Sequence, residues 1–476
     1  MPVATTTTAH DAEDSPLRSP AARVGWILPP IVLALYALKP LGAIKDPDAF
    51  WHITAGEHLV ATGQFVLDDP FGAATQQVWI LNQWMPEVLM HWAHAAYGLP
   101  AVAWLLCLAS LLVGVAVYAA CRRRSSALVA ALVLAVTFVA LSGSLSPRPQ
   151  LVTFALAAVT TSAWLLTRED RRPRWWLVPL SWLWACSHGM WFVGPVIGGL
   201  VVVGMLLERR VSVREAARLA VVPVLSVAVA ALTPVGPRLF ASPLQVSGVT
   251  GMISEWQPPG LTDPGLIAAL VLVAVVVADL VVRGREEWTI ALLVVLALVL
   301  AVSWSRTTGL AAVILAPLAA ASIQRTTRQT VSRPPRRERM AVLVSGVVSL
   351  VLAAVIVPAA AATPGIGPSG LDAALARLPA GTVVCNDQAD GGWLMLGHPG
   401  LRPTMDTRVE LYTVERIRAY LGFIAAEPGW QSYPQQVGCR YAALPADAAV
   451  VPAMRATGDW QVVEQAGGYV LLRSRG

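Results

Sequence analysis

The densest group of ionisable side chains in the sequence comes directly after its first long apolar run. Asp46 and Asp48 flank Pro47, His52 follows four residues later, and Glu87 lies in the segment WMPEVLMHW. Carboxylates in such a group either accept a proton from a hydroxyl or hold a divalent metal ion such as Mg²⁺ or Mn²⁺. The same D-x-D spacing also occurs in solvated loops that cap helices. The residues therefore offer two interpretations, one catalytic and one structural.

Composition indicates where these side chains must be held. Of the 476 residues, 56% are hydrophobic and 13% are charged, and the mean hydropathy is +0.60. Soluble domains carry about 25% charged residues. The apolar residues form runs of roughly 17–22, long enough to cross a hydrocarbon core of about 30 Å. We therefore expect a polytopic membrane protein, which excludes a disordered chain, a disulfide mini-protein and an ordinary cytosolic enzyme.

Eleven apolar runs predict about eleven membrane spans within a module at 23–362. They lie at about 24–43, 99–120, 126–145, 149–167, 175–188, 190–207, 215–233, 264–282, 288–304, 307–323 and 340–361. The run at 175–188 is short, so it is either a full crossing or a tilted or re-entrant element. The polar segment 1–22 is predicted to be a disordered cytoplasmic tail.

Basic residues predict the orientation of this module. With the N-terminus in the cytoplasm, 21 lysines and arginines fall in inner segments and four in outer loops, as the positive-inside rule requires. The four are Lys45, Arg148, Arg238 and Arg306. The net charge of +6 thus reflects contact with the lipid bilayer and predicts no nucleic-acid partner. We expect a plasma-membrane protein whose long loops 44–98 and 234–263 and C-terminus lie outside.

Two outer regions are predicted to fold. Within the first loop, 49–61 and 83–96 have helical spacing and are expected to lie flat in the membrane interface. Residues 363–476 have the composition of a soluble domain and predict a small extracytoplasmic α/β fold. Its expected helices are PSGLDAALARLP, VERIRAYLGFIA and VPAMRA, and its expected strands are GTVVCND, GGWLML, RYAALP and the hairpin WQVVEQ–GYVLLRS. Cys385 and Cys439 both lie near its strands, where an oxidising compartment permits a disulfide.

Four polar residues alternate after one of these strands. Asp406, Arg408, Glu410 and Tyr412 share one face if the chain there is extended, because strand side chains repeat every two residues. One interpretation is a polar lip that contacts an acceptor above a cavity. The other is an internal salt-bridge network that supports the domain.

Short motifs are spread in order along nearly the whole chain. They are the string DPDAFWHITAGEHLVATGQFVLDDPFGAAT, then NQWMPEVL, SPRPQLVTF, LWACSHG, LTPVGPRLF, EWQPP, SRTTGLAAVILAP, VVCNDQADGGWLM and MDTRVELY. Together they resemble a bacterial family of the GT-C superfamily of membrane glycosyltransferases. Two positions depart from the expected pattern, since Cys186 and Thr233 stand where asparagine is expected. These departures affect fine details of the acceptor or lipid site and leave the acids of the first loop intact.

The resemblance implies a GT-C-like fold and an inverting glycosyltransferase that uses a polyprenyl-phosphate-linked sugar. The acceptor would be an envelope glycan, lipid or protein on the outer face. Asp46, with Asp48 as the alternate, would be the general base or metal ligand, and Glu87 and His52 would assist. Arg306, then Arg148, would hold the donor phosphate, because such a leaving group needs cationic partners in a partly dry site. The remaining cavity or acceptor candidates are His188, Glu255, Asp406, Arg408, Glu410 and Tyr412.

Two other functions are weighed against this one. The departures at Cys186 and Thr233 keep open a non-catalytic GT-C-fold protein that acts as a partner in envelope assembly. A secondary transporter is less favoured, because the predicted spans hold almost no acid in their middles and show no half-repeat symmetry.

Overall fold

The computed structural model describes residues 20–241, 250–252, 254–284, 286–327 and 331–475. The predicted tail 1–22 lies almost entirely outside these residues, as does part of the predicted loop 234–263. Each of the eleven predicted apolar runs forms a helix. These helices are α1 (Pro20–Leu38), α4 (Leu99–Arg122), α5 (Ala127–Leu141), α6 (Gln150–Asp170), α7 (Leu177–Ala185), α8 (Val193–Leu207), α9 (Val213–Ala230), α10 (Pro264–Arg283), α11 (Trp288–Ser303), α12 (Thr308–Thr326) and α13 (Arg336–Ala360).

Helix length and packing identify a membrane bundle. Six segments of the described chain are long and apolar enough to cross a membrane, and three shorter apolar helices accompany them. Helix α12 lies at the centre, packed against α5, α10 and α11, and nearly all of its side chains are buried. At the periphery, α13 exposes Val351 and Val355, the pattern of a helix with one face toward lipid. The chain is therefore a multi-pass membrane protein.

The short helix α7 covers only part of its predicted crossing. Its nine residues extend about 14 Å at 1.5 Å per residue. Hydrogen bonds place the whole segment alongside α6. Thr167, near the end of α6, donates to the Arg172 carbonyl at 3.1 Å, whereas the Trp184 indole donates to Thr153, near the start of α6, at 2.7 Å. The chain from 172 to 184 thus returns along most of the length of α6.

The two predicted helices of the first loop are present, but only one keeps an apolar face exposed. Helix α2 (Asp48–Thr62) has ten buried residues, whereas α3 (Trp84–Tyr97) exposes Leu89, Trp92 and Tyr97. The expectation that α2 lies flat in the interface is wrong, because it is covered by α3 and by the C-terminal domain. A two-stranded ribbon, β1 (Val66–Leu67) with β2 (Trp79–Ile80), joins the two helices.

A five-stranded mixed sheet forms the C-terminal domain. Its strands are β3 (Val383–Asn386), β4 (Arg402–Pro403), β5 (Tyr441–Pro445), β6 (Trp460–Ala466) and β7 (Tyr469–Ser474), in the order β4-β3-β5-β7-β6. Strand β3 pairs in parallel with β4 and β5, and the terminal hairpin is antiparallel. Its helices are α14 (Asp372–Leu375), α15 (Gly391–Gly397), α16 (Val414–Ile424), α17 (Ser432–Val437) and α18 (Val450–Thr457). A disulfide joins Cys385 to Cys439.

One predicted strand of this domain is wrong. The segment GGWLML forms helix α15, because a continuous apolar run does not distinguish a strand from a buried helix. The structure also explains the second glycine of this segment, Gly392. A Cβ atom on Gly392 would lie 2.8 Å from the Pro47 carbonyl oxygen, so the glycine allows α15 to pack directly on the start of α2. This contact brings the C-terminal domain over the predicted chemical group.

Candidate active site

A cavity of about 780 Å³ lies between the helical bundle and the C-terminal domain. We call its two sides the bundle wall and the domain wall. The polar residues of the bundle wall include Asp48, His52, Asn82, Gln83, Arg148, His188, Glu255, Arg306 and Thr307. The domain wall consists of Asp387, Gln388, Ala389, Thr407, Val409, Glu410, Tyr420, Leu421 and Ile424. The cavity therefore brings together residues as far apart in the chain as Asp48 and Ile424.

Two aspartates and an arginine meet where α2 begins. Asp46 accepts the backbone N–H of Asp48 at 3.0 Å through one oxygen and contacts Arg148 Nε at 2.6 Å through the other. Asp48 contacts the same Nε atom at 3.2 Å, and its Oδ1 atom has no hydrogen-bond partner among the described residues. Only Asp48 lines the cavity. Both oxygens of the leading sequence candidate, Asp46, thus have a partner, whereas the alternate, Asp48, lines the cavity and keeps one buried oxygen without a partner in the described part of the chain.

The same arginine extends the cluster to the opposite side of the bundle wall. Arg148 Nη1 contacts Glu255 at 2.8 Å, and Arg306 contacts the same Glu255 oxygen at 3.3 Å. Arg306 also lies over the Trp256 ring, 5.8 Å from its centroid. Burial lowers the pKa of Arg148, but the carboxylates of Asp48 and Asp46 outweigh it and raise that pKa overall.

We call Asp46, Asp48, Arg148, Glu255 and Arg306 the open cluster. It holds three carboxylates and two guanidinium groups, and its members Asp48, Arg148, Glu255 and Arg306 border the cavity. The guanidinium groups can bind a phosphate through charge-assisted hydrogen bonds.

Two histidines line the cavity with opposite hydrogen-bonding roles. His52 Nδ1 lies 3.1 Å from the Glu87 carboxylate, so this nitrogen donates and Nε2 is left as an acceptor. The hydroxyl of Thr153 accepts from the Trp184 indole at 2.7 Å and contacts His188 Nδ1 at 2.9 Å. Its proton therefore points at His188, whose Nε2 atom is left as a donor. The bundle wall thus presents one imidazole acceptor and one imidazole donor.

Burial lowers the pKa of His52, and the neighbouring Glu87 carboxylate only partly opposes that effect. His52 is therefore uncharged at neutral pH. Glu87 itself does not line the cavity; it is buried behind His52 and fixes the ring.

A divalent metal is expected at Asp46 and Asp48 from the sequence. Among the described residues, no three His, Cys, Asp or Glu side chains group in a way that fits a metal ion. The carboxylates of Asp46, Asp48 and Glu255 converge on Arg148 instead, so a metal ion would have to displace the guanidinium group. The residues as arranged do not fit a bound ion, and the metal site stays a prediction.

For three of the four alternating residues of the C-terminal domain, the internal salt-bridge network is the correct interpretation and the polar lip is wrong. Asp406, Arg408 and Tyr412 lie in a sealed network and do not line the cavity. The chain is not extended here, since Val409–Leu411 forms a 3₁₀ turn, and alternate residues therefore do not share a face. Only Glu410 reaches the cavity, where burial raises its pKa to about 7.

We call the sealed network of Asp69, Trp79, Asp406, Arg408 and Tyr412 the closed cluster. Arg408 contacts Asp69 at 3.0 and 3.1 Å and Asp406 at 2.8 Å, and the side chains of all three are 0% exposed. The Tyr412 hydroxyl donates to Asp406 at 2.8 Å, and Arg408 lies 4.4 Å from the Trp79 ring centroid. The closed cluster thus ties the C-terminal domain to the loop between α2 and α3.

Sequence reasoning missed Asp69 and the residues Asp387, Gln388 and Tyr420 of the domain wall. The motifs DDPFG and VVCNDQADGG contain three of them, but neither motif shows which cavity they face. Tyr420 has no local signal, because its position on α16 is an ordinary buried helix position.

No family model and no curated protein matches the sequence. Solved structures share the fold. The oligosaccharyltransferase of Archaeoglobus fulgidus, tethered to an acceptor peptide containing the NVT sequon, matches with a TM-score of 0.56 and 12% identity, over 89% of this chain and 69% of that one. ArnT of Cupriavidus metallidurans in the apo state matches with a TM-score of 0.55 and 15% identity, over 95% and 98%.

ArnT bound to undecaprenyl phosphate covers the same shares, with a TM-score of 0.50 and 15% identity. At such identities the likeness shows the fold alone. Both relatives are membrane glycosyltransferases of the superfamily that the sequence motifs resemble. This chain has the GT-C fold.

Proposed function

We propose that the protein is a membrane glycosyltransferase that moves a sugar from a polyprenyl-phosphate donor to a cell-envelope acceptor on the outer face of the plasma membrane. The open cluster carries the proposal, because two arginines and the Asp48 carboxylate border one cavity in a GT-C fold. The solved ArnT complex supports the donor class, since it contains undecaprenyl phosphate.

The donor phosphate binds at Arg306 and Arg148. Arg306 is 26% exposed and, among the described residues, has one ion pair, to Glu255, whose side chain is 41% exposed. Glu255 is the carboxylate that can withdraw toward solvent when a phosphate arrives, because it is the most exposed acid of the open cluster. Phe192, Leu300 and Trp304 give the same wall an apolar edge for the start of the polyprenyl chain.

The acceptor hydroxyl is activated at Asp48. Its oxygen attacks the anomeric carbon of the donor sugar while the bond from that carbon to the phosphate oxygen breaks. The bonding electrons leave with the polyprenyl phosphate, and the hydroxyl proton passes to Asp48. His52 Nε2 orients the hydroxyl by accepting a hydrogen bond, and His188 Nε2–H donates to an oxygen of the donor.

Turnover of polyprenyl-phosphate sugars in reconstituted membranes tests this function. Asp48→Asn is expected to lower the rate of transfer by about 100-fold or more, the usual contribution of a general base. Asp46→Asn, the matched control, lowers it less, because Asp46 acts through Arg148. Adding a chelator tests the predicted Mg²⁺ or Mn²⁺ requirement. Undiminished transfer by Asp48→Asn contradicts the assignment, and absence of both transfer and donor binding contradicts the function.

One observation favours the second candidate, a non-catalytic partner in envelope assembly. Both guanidinium groups of the open cluster already have carboxylate partners, and its five charges sum to one negative charge. In a scaffold these ion pairs would stay intact, so the protein would bind no polyprenyl phosphate. Donor binding measured by quenching of tryptophan fluorescence therefore separates the two candidates.

A further inference from the structure

The two walls of the cavity differ in whether they carry cations. Both cations that line the cavity, Arg148 and Arg306, belong to the bundle wall. The domain wall has two carboxyl groups, Asp387 and Glu410, and none of its residues is Lys, Arg or His. A phosphate or carboxylate has favourable partners on one wall only, since like charges that face each other at close range are repelled. The acceptor, which must lie away from the donor phosphate, therefore meets the domain wall.

The domain wall also has a defined set of hydrogen-bonding groups. The hydroxyl of Tyr420 accepts the backbone N–H of Gln388 at 2.7 Å, so its own proton is left to donate. The Gln388 side-chain amide donates to the Asp406 carbonyl at 3.3 Å, which leaves its oxygen as an acceptor. Asp387 accepts the Ala389 N–H through Oδ1, and its second oxygen is left as a further acceptor.

Glu410 and Asp48 complete this surface from two sides. Glu410 forms no salt bridge within the described part of the chain, and its pKa of about 7 allows its carboxyl group to donate or accept near neutral pH. Asp48 lines the cavity from the bundle wall and is 8% exposed. Leu421 and Ile424 add apolar contact beside the polar groups. Several donors and acceptors next to an apolar strip match a ring with adjacent hydroxyls and C–H groups.

We propose that the domain wall is an acceptor subsite for an uncharged saccharide, and that it discriminates against acceptors carrying phosphate or carboxylate groups near the reacting hydroxyl. This inference rests on the proposed function and narrows its acceptor class from glycan, lipid or protein to a neutral glycan or the neutral glycan part of a glycolipid. A peptide is disfavoured because it offers a single side-chain hydroxyl and otherwise backbone amides, and so lacks the ring with adjacent hydroxyls that these groups match. Specificity here comes from the absence of a cation as much as from attraction.

Binding to the full chain in lipid nanodiscs tests the subsite independently of turnover. The probes are a panel of neutral trisaccharides, the matching panel of uronic-acid trisaccharides, and a neutral threonine-containing peptide, each followed by saturation-transfer NMR. We expect neutral trisaccharides to bind at least about tenfold more tightly than their uronic-acid counterparts. Equal or tighter binding of the uronic acids, binding of the peptide alone, or no binding of any neutral trisaccharide overturns the proposal.

Variants of Glu410 show whether the domain wall causes the preference. Glu410→Gln preserves shape and hydrogen bonding, so it is expected to keep neutral binding and to reduce the discrimination severalfold. Glu410→Arg is expected to favour the uronic acids. Asp459→Arg makes the same charge change at an exposed position outside the cavity and is expected to change neither. Unchanged discrimination in both Glu410 variants contradicts the proposal.

Polyprenyl phosphate binding in the same nanodiscs separates the two possible failures. If polyprenyl phosphate binds while the saccharides show no preference, the subsite is wrong and the proposed function stands. If no polyprenyl phosphate or lipid-linked sugar binds, the proposed function is wrong. The acceptor subsite, which rests on that function, is then wrong as well.

Discussion

The open and closed clusters both pair an arginine with aspartates, but one borders the cavity and the other is buried inside the protein. In each, an arginine contacts two aspartates and the cluster joins distant parts of the chain: Arg148 contacts Asp46 and Asp48, and Arg408 contacts Asp406 and Asp69. The closed cluster is fully buried and has a tyrosine hydroxyl and an aromatic ring as further partners. The open cluster faces the cavity, and the side chain of its member Glu255 is partly exposed to solvent. Residue type alone therefore does not separate a structural ion pair from a binding group; burial and spare hydrogen-bonding capacity do.

Breaking the closed cluster should have the largest effect on the molecule. Arg408→Met leaves Asp69 and Asp406 buried without a cation, and removing one partner of a buried pair costs about 3–5 kcal/mol. We expect the C-terminal domain to separate from the loop between α2 and α3 and to become sensitive to limited proteolysis. A variant as resistant as the wild-type protein would show that the network contributes nothing to docking.

Removing the disulfide tests the domain without touching either cluster. Cys385 and Cys439 are 54 residues apart, and closing such a loop stabilises a domain by roughly 2–4 kcal/mol. Cys385→Ser combined with Cys439→Ser should lower the thermal midpoint of the C-terminal domain, while polyprenyl phosphate binding to the bundle wall persists. The buried thiol Cys121 lies in the bundle core, so Cys121→Ser is a control for cysteine removal elsewhere. Simultaneous loss of donor binding would show that the two walls do not fold independently.

A substitution in the open cluster should affect binding and leave stability nearly unchanged. Arg306→Gln removes one partly exposed ion pair, and such pairs contribute about 0–1 kcal/mol. It also removes a phosphate ligand, so we expect polyprenyl phosphate affinity to fall about tenfold. Arg238→Gln changes an arginine outside the cavity lining and is the matched control. A large fall in thermal midpoint for Arg306→Gln would place this residue with the closed cluster instead.

Asp390 is a buried acid that pairs with no arginine among the described residues, so its contribution to stability is expected to depend on pH. Burial, then the neighbouring Asp387, raises the pKa of Asp390 to about 7, although Tyr469 donates to it at 3.1 Å. The folded state holds this proton more tightly than the unfolded state, whose pKa is about 3.9. Stability associated with the protonated form is therefore lost as pH rises from about 4 to about 7.

Thermal midpoints of the wild-type protein and of Asp390→Asn, measured between about pH 4 and pH 7, test this effect. Asp390→Asn removes the titrating group, so the midpoint should depend less on pH in the variant. Parallel curves for the two proteins would show that Asp390 does not titrate in this range. Asp459→Asn, at an exposed site, should behave as the wild-type protein does.

The extent of sequence-based prediction differs between the two clusters. The D-x-D pair, Arg148, Glu255 and Arg306 were all identified from the sequence, because the predicted outer loops hold few basic residues and the two aspartates directly follow the first apolar run. The alternation of Asp406, Arg408 and Tyr412 was also visible, but their role was open, since a polar lip and an internal network have the same spacing. Asp69, the partner that decides between them, is more than 330 residues away from Arg408.

Sequence alone determined the membrane class, the positions of the apolar helices and most elements of the C-terminal domain. These follow from hydrophobic runs, periodicity and turn residues, which act over a few tens of residues. Tertiary structure decided that α2 is covered by protein, that GGWLML is a helix, and that Asp48 has the spare oxygen while Asp46 does not. It also decided which acids meet which arginines, because a charge acts on whatever lies within a few ångströms, and chain folding sets that distance whereas sequence spacing does not.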